Sequence, residues 1–336
     1  LKILVVRPGP QFAVEDVANG WIKGLRNAGH DIIDFDLGAK MSYFSNSNEY
    51  FLGHGNHTQE DDAIMAAEVL AGSVWQHQPD LILIITGYYL PPAFYDIARR
   101  NGHKVVLMVT EAPYENDRHL LQAHHCDAIV LNDTKGIEEF REICPTFYYG
   151  HGYDPEIHKP GPGKLDLISE FCFVGTGFPE RVIFLEKIDW THLIARLAGS
   201  WSRIEPTSPL VPLVEEQYSE SIDNKDAVTL YQSSLISANL YRKQHTHSYQ
   251  GNSCGPREIE MAACGLFFLR ESRPESDELF PMLPTFSNPK ELQDGIHYWL
   301  AHPEERQKRA EQAQQAVAHR TFDQLAQTFT QDLKTL

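Results

Sequence analysis

Cysteine is scarce in this 336-residue sequence: Cys126, Cys144, Cys172, Cys254 and Cys264 make an odd number, and no two stand at C-x-x-C spacing. That excludes a disulfide framework and a zinc ribbon, and points to reduced, mostly buried thiols. Positive charge is also short. Lys and Arg number 29 against 46 Asp and Glu, for a formal charge of −17, which argues against sequence-independent binding of nucleic acid or anionic membrane over the whole surface. No apolar run approaches the roughly 18 residues of a membrane span, and the opening "LKILVVRPGP" reads as a strand rather than a signal peptide. A cytoplasmic protein is expected. Two fingerprints are missing as well. No G-x-G-x-x-G follows the first strand and no Walker A loop occurs, which tells against NAD and ATP.

What is present is an alternation of apolar runs. "LKILVV" is a buried strand, followed by a helix with Val14, Val17, Trp21, Ile22 and Leu25 at the 3.6 period, then the strand "DIIDFDL". The polar stretch from Ser42 to Asp62 is long for a connection inside a compact domain and so reads as either disordered or functional. A helix over Glu60 to Gln76, "DLILIITG", the helix "PPAFYDIARRNG", "KVVLMVTE" and "CDAIVLND" continue a βαβ rhythm. "GHGYDPEIHKPGPGK" is the expected linker, and a second alternation then begins: "EFCFVGTG", "PERVIFLEKI", "HLIARLAGSW", "KDAVTLYQSS" and "LISANLYR", with "PEERQKRAEQAQQAVAHR" as a closing helix. The expected architecture is α/β, with two doubly wound parallel-sheet domains facing across a cleft. Their expected bounds are 1–155 and 165–315, with 316–336 as a C-terminal helix crossing back to the first domain.

Ligands of open α/β sheets bind beyond the carboxyl ends of the strands, and two such places stand out in the second half. In "FVGTGFPERV" a strand runs into Gly175, Thr176 and Gly177 and then a helix, a pattern that suits a phosphate and equally a tight strand-to-helix turn. In "GPREIEMAACGLFFLRESRPESDELFP" a helix opens with Arg257, Glu258 and Glu260. Arg257 suits a phosphate. Glu260, three positions on and on the same helical face, suits vicinal ribose hydroxyls. Acids that complement the helix dipole are the competing reading.

The run Arg257-x-x-Glu260-Met261-Ala262-Ala263-Cys264-Gly265, then an apolar strand and "RPESDELF", resembles the donor-binding segment of GT-B glycosyltransferases, in particular the CgeB-like group and its family 1 and 4 relatives. "FCFVGTGFPERVIFLEKI", "LAGSW", "YQSSLISANLYR", the tail from "ELQDGIHYWL" and, in the first half, "PDLILIITGYYLPPAFYDIARRNGHKVVLMVTEAPYENDR" are similar to that group in the same order. The resemblance implies a Rossmann-like acceptor domain followed by a donor domain, and transfer of a hexosyl or pentosyl group from a nucleotide sugar, UDP-sugar by family preference. It implies that Gly175, Thr176 and Gly177 meet the diphosphate with Arg181 as helper and that Arg257 neutralises the leaving group. Glu260, the second Glu of the family's E-x7-E motif, would hold the ribose. At the first Glu the sequence departs from the family, with Asn252 in its place. Arg242 is a further phosphate candidate.

An inverting transferase needs a base. Glu111 in "VTEAPYEND" is preferred, with Asp117 and Asp16 behind it; a retaining enzyme needs none. Tyr88 and Asp117 are candidate acceptor contacts. No cofactor is expected beyond the nucleotide-sugar co-substrate, and no metal. Asp61-Asp62 and Glu15-Asp16 read as solvated helix starts, and "HTHSYQGNSC" with His54 and His57 lacks a third ligand. The acceptor stays open among a glycan, a small molecule, a protein and a hydroxylated base in phage-type DNA, the last needing a basic stripe at Arg99, Arg100, Lys104 and Arg118. A non-catalytic nucleotide-sugar-binding protein of the same fold is the rival reading.

Overall fold

The computed structural model describes residues 1–10, 14–53, 55–243 and 250–336. They divide into two compact units, Leu1–Gly150 with Phe322–Leu336, and His151–Thr321. The first begins with β1 (Lys2–Val6), α1 (Glu15–Asn27), β2 (Asp31–Phe35), α2 (Leu37–Leu52) and α3 (Gln59–His77). It continues through β3 (Leu81–Ile85), α4 (Pro92–Arg100), β4 (Lys104–Met108), α5 (Asn116–Ala123), β5 (Ala128–Leu131), α6 (Ile137–Arg141) and β6 (Thr146–Tyr148). The strands form one parallel sheet in the order β2-β1-β3-β4-β5-β6. Helices on both faces explain why its strands read as unbroken apolar runs: all five residues of β3 are buried.

The stretch from Ser42 to Asp62 is a correction, because it is mostly helix rather than a connection. Asp36 starts α2 by accepting from the Ala39 N–H at 2.8 Å, and the buried residues of this helix are Leu37 and Met41. A helix with so narrow an apolar stripe has the composition of a loop. Asp62 is a second correction. It is buried and accepts from Asn48 Nδ2 at 2.8 Å, whereas its neighbour Asp61 closes a capping box with Thr58.

The second unit carries β7 (Ser169–Val174), α7 (Pro179–Leu185), β8 (Ala195–Ala198), α8 (Asn224–Gln232), β9 (Ser234–Asn239), α9 (Pro256–Ala263) and β10 (Phe267–Arg270). After these come α10 (Pro274–Leu279), α11 (Pro289–Ala301) and α12 (Pro303–Val317). Its parallel sheet runs β10-β9-β7-β8. The last helix, α13 (Phe322–Asp332), belongs to the first unit, where Trp21 of α1 meets Tyr149, Phe322 and Phe329 edge-on at centroid distances of 5.8, 6.3 and 5.7 Å. Gly24 makes this approach possible, since a Cβ there would sit 2.5 Å from the Phe322 carbonyl oxygen. Both units are therefore parallel-sheet α/β, as the alternation predicts. The five cysteines are free and buried, and among the described residues no helix is long and apolar enough to cross a membrane.

Candidate functional site

β7 connects through α7 to β8 on one side and β9 through α9 to β10 on the other, so the crevice between the ends of β7 and β9 is the switch point of the second sheet. Two arginines bridge it. Arg181, buried at the start of α7, donates from Nη1 to the Thr176 carbonyl at 3.0 Å and from Nη2 to the Leu240 carbonyl at 2.7 Å. Arg257, in the first turn of α9, donates from Nη1 to Asn239 Oδ1 at 3.0 Å and lies 4.9 Å from the centroid of the Phe173 ring. Its other nitrogen, Nη2, rests on Gly175, where φ is +149° and any Cβ would overlap it. Gly175 is thus a seat for the guanidinium.

The Gly-Thr-Gly turn behaves differently from a plain cradle of amides. Gly175 N–H donates to the Ala198 carbonyl and Gly177 N–H to the Ser200 carbonyl, each at 2.8 Å. Gly177 is also needed for packing, since a Cβ would stand 2.6 Å from the Trp201 ring. Thr176 is the residue of the three whose amide is not taken up by a carbonyl among the described residues. Arg242 and Arg181 both lie over Phe178, at 4.8 and 5.0 Å from its centroid. Arg181 therefore shapes the loop, and Arg257 presents the guanidinium that sits at the strand end.

Around α9 the two glutamates have opposite environments. Glu258 is fully buried and accepts from Tyr241 Oη at 2.5 Å, Ser276 Oγ at 2.6 Å and the Gly255 N–H at 2.9 Å. Burial raises its pKa above the ordinary value despite these donors. The sequence reading passed over this residue; the signal available was its place three positions after Gly255, the N-cap of α9. Glu260 is half-buried, with Oε1 4.0 Å from Nε2 of the buried His158. Asn239 and His158 were also missed. Asn252 carries no carboxylate, and its carbonyl accepts from the Glu275 N–H at 2.9 Å.

In the first unit, Tyr88 follows β3 and stacks on His119 with centroids 5.5 Å apart, while Arg118 covers the same ring at 4.2 Å and donates to the Tyr88 carbonyl. Glu111 lies just past β4, half-buried, with its carbonyl accepting from the Glu115 N–H at 3.2 Å. Asp117 is exposed in the first turn of α5. Of the basic stripe, Arg99 pairs with Asp127 at 3.3 Å and Arg118 is committed to Tyr88. His54 and residues 244–249 lie outside the described residues, and among the described ones no group of three or more His, Cys, Asp or Glu side chains is placed to hold a metal. A cavity of about 290 Å³ opens between α3 and α4, lined largely by apolar groups such as Ala67, Trp75, Phe94 and Ile97.

His119 gives a pH-dependent expectation. Desolvation lowers its pKa from 6.5 to about 4, so the folded ring stays neutral where the unfolded ring takes up a proton. Its contribution is complete above pH 6.5 and is lost as pH falls toward 4. Unfolding curves from pH 7 to 5 should show a loss of about 1–2 kcal/mol from this group, and His119→Phe should flatten that part of the profile.

Residues 181–331 match the family model described as glycosyl transferase-like. The spore protein CgeB of Bacillus subtilis (strain 168) is 22% identical over 301 residues, covering 87% of this chain and 91% of that protein. Among solved structures, a sucrose-phosphate synthase from Thermosynechococcus elongatus superposes with a TM-score of 0.67 at 12% identity, over 100% of both chains. Anabaena Alr3699/HepE in complex with UDP-glucose gives 0.65 at 14%, again over 100% of both. The resemblance read from the sequence holds, and the fold is GT-B.

Proposed function

We propose that this chain, a GT-B fold with a glycosyl transferase-like match over residues 181–331, moves a sugar from a nucleoside diphosphate sugar, UDP-sugar first among them, to a hydroxyl of an acceptor held by its first unit. The observation that carries this reading is Arg257, seated on Gly175 at the switch point and held by Asn239. As the anomeric carbon leaves the diphosphate oxygen and bonds to the acceptor oxygen, charge builds on the leaving group. A guanidinium already oriented there stabilises it without reorganisation. The Thr176 amide and Arg242 are further phosphate contacts in this reading, and Glu260 receives the ribose. Glu111 takes the acceptor proton if configuration inverts, and Tyr88 and Asp117 line the acceptor side. The nucleotide sugar is a co-substrate, and no other cofactor enters. UDP-glucose in the Anabaena structure is consistent with the donor class.

One observation favours a second reading, a nucleotide-sugar-binding protein without turnover. Asn252 stands where the family's sugar-gripping carboxylate would be. Binding and turnover separate the two. Melting curves with UDP, GDP, ADP, CDP and TDP should rise with one diphosphate by about 5–10 °C at a hundredfold excess over its dissociation constant. Glu260→Ala should abolish that rise. Release of the same diphosphate from its sugar conjugate, dependent on an added hydroxyl acceptor, supports transfer; binding without release supports the second reading.

A further inference from the structure

We infer that His158 is a second acceptor for the donor's ribose, forming with Glu260 a paired seat for two vicinal hydroxyls and so selecting ribonucleotides over deoxyribonucleotides. The inference rests on the donor reading above. His158 lies in the segment leading to β7 and its side chain is 3% exposed. Its Nδ1 is 3.2 Å from the Asp154 carbonyl, an oxygen that can only accept, so Nδ1 carries a hydrogen. In the neutral ring Nε2 is then a bare acceptor. It is buried, finds no hydrogen-bond partner among the described residues, and faces Glu260 Oε1 at 4.0 Å.

Two acceptors facing each other at that distance do not satisfy one another, and an acceptor left alone in a buried place is costly. The chemistry that resolves the pair is a ligand bringing two O–H donors side by side, which is what a ribose diol offers. One hydroxyl donates to the Glu260 carboxylate and the other to His158 Nε2. The two oxygens of Glu260 could accept from both hydroxyls, but His158 beside it gives one of them an acceptor of its own. With His158 that hydroxyl becomes required, because its loss leaves the buried Nε2 without a donor, while loss of the other removes a charge-assisted bond to Glu260. The Tyr153 ring, edge-on to His158 with centroids 6.4 Å apart, fixes the orientation of the imidazole.

The test is calorimetric titration of the full chain with UDP, 2′-deoxy-UDP and 3′-deoxy-UDP, or the same set on whichever base binds. The wild type should prefer the ribonucleotide over both deoxy forms by about tenfold. His158→Phe, which keeps the ring volume, should weaken the ribonucleotide by about tenfold while leaving one deoxy analogue nearly unchanged, so that one preference collapses. His158→Gln, whose amide oxygen accepts, should restore part of it. Melting curves of the variants check that each is folded. If the ribonucleotide binds and both preferences survive His158→Phe, His158 serves only as an imidazolium partner of Glu260 or as packing, and the inference is overturned. If no diphosphate binds the wild type, the donor reading falls and takes this inference with it.

Discussion

Glu258→Ala is expected to destabilise the second unit by about 3–5 kcal/mol and to lower its melting temperature by roughly 10 °C, whereas Glu258→Gln costs only about 1 kcal/mol. The carboxylate is fully buried and joins three segments: the exit of β9 through Tyr241, the start of α9 through the Gly255 N–H, and α10 through Ser276. Alanine strands all three donors away from water, and each carries a desolvation penalty. Glutamine fits because its oxygen can take the place of Oε2, which serves Tyr241 and Gly255, while its nitrogen donates to the Ser276 hydroxyl. Arg273 stacks on the Tyr241 ring at 3.5 Å, so the loss spreads to the loop before α10. Chemical or thermal unfolding of the two variants checks the contrast. Equal losses would mean that volume rather than hydrogen bonding matters at this position.

Arg257→Ala is expected to weaken nucleoside diphosphate binding by about a hundredfold and to reduce any transfer rate by at least as much, with a stability loss of about 1–3 kcal/mol from the buried Asn239 amide it leaves without a donor. The side chain is half-buried, pinned by Asn239 Oδ1 on one nitrogen and backed by the Phe173 ring, so its charge is aimed before a ligand arrives. Arg257→Lys keeps the charge and loses the fork, and should recover only part of the affinity. Gly175→Ala reaches the same end from the other side. The new Cβ would occupy the place of Nη2, and the far end of a flexible side chain can yield where backbone cannot. At a φ of +149° the alanine also strains the backbone by about 1–3 kcal/mol, so the variant should fold with a lower melting temperature while the guanidinium is displaced. Titration of each variant, paired with its melting curve, separates a lost ligand contact from a lost fold.

What could be read from the sequence follows from how local each feature is. β1, β3, β4, β5 and β7 were legible because strands buried on both faces leave apolar runs that need no partner to identify. α2 was not, since Leu37 and Met41 supply its buried contact and the outer face has the composition of a loop. β6 spans three half-buried residues, too few to show a period. The Arg257 and Glu260 pair stood out through its spacing and family likeness. Glu258 between them looked like one more acid at a helix start, because its burial depends on Tyr241 and Ser276, 17 and 18 positions away. Asn239 and His158 carry no local signature at all. One acquires meaning only when the end of β9 meets α9, the other only when the segment before β7 comes within 4.0 Å of Glu260.

The most direct test of the donor site is calorimetric titration of UDP into the wild type and into Gly175→Ala under identical conditions, repeated with the other four diphosphates if UDP gives no heat. The substitution leaves every charged residue in the chain, removes the seat on which the Arg257 guanidinium rests, and strains the backbone at a φ of +149°. Saturable binding to the wild type, weakened at least about tenfold in a Gly175→Ala protein that melts lower but still unfolds cooperatively, is the predicted result. Equal affinity in the two proteins, or no binding of any diphosphate to the wild type, would contradict it.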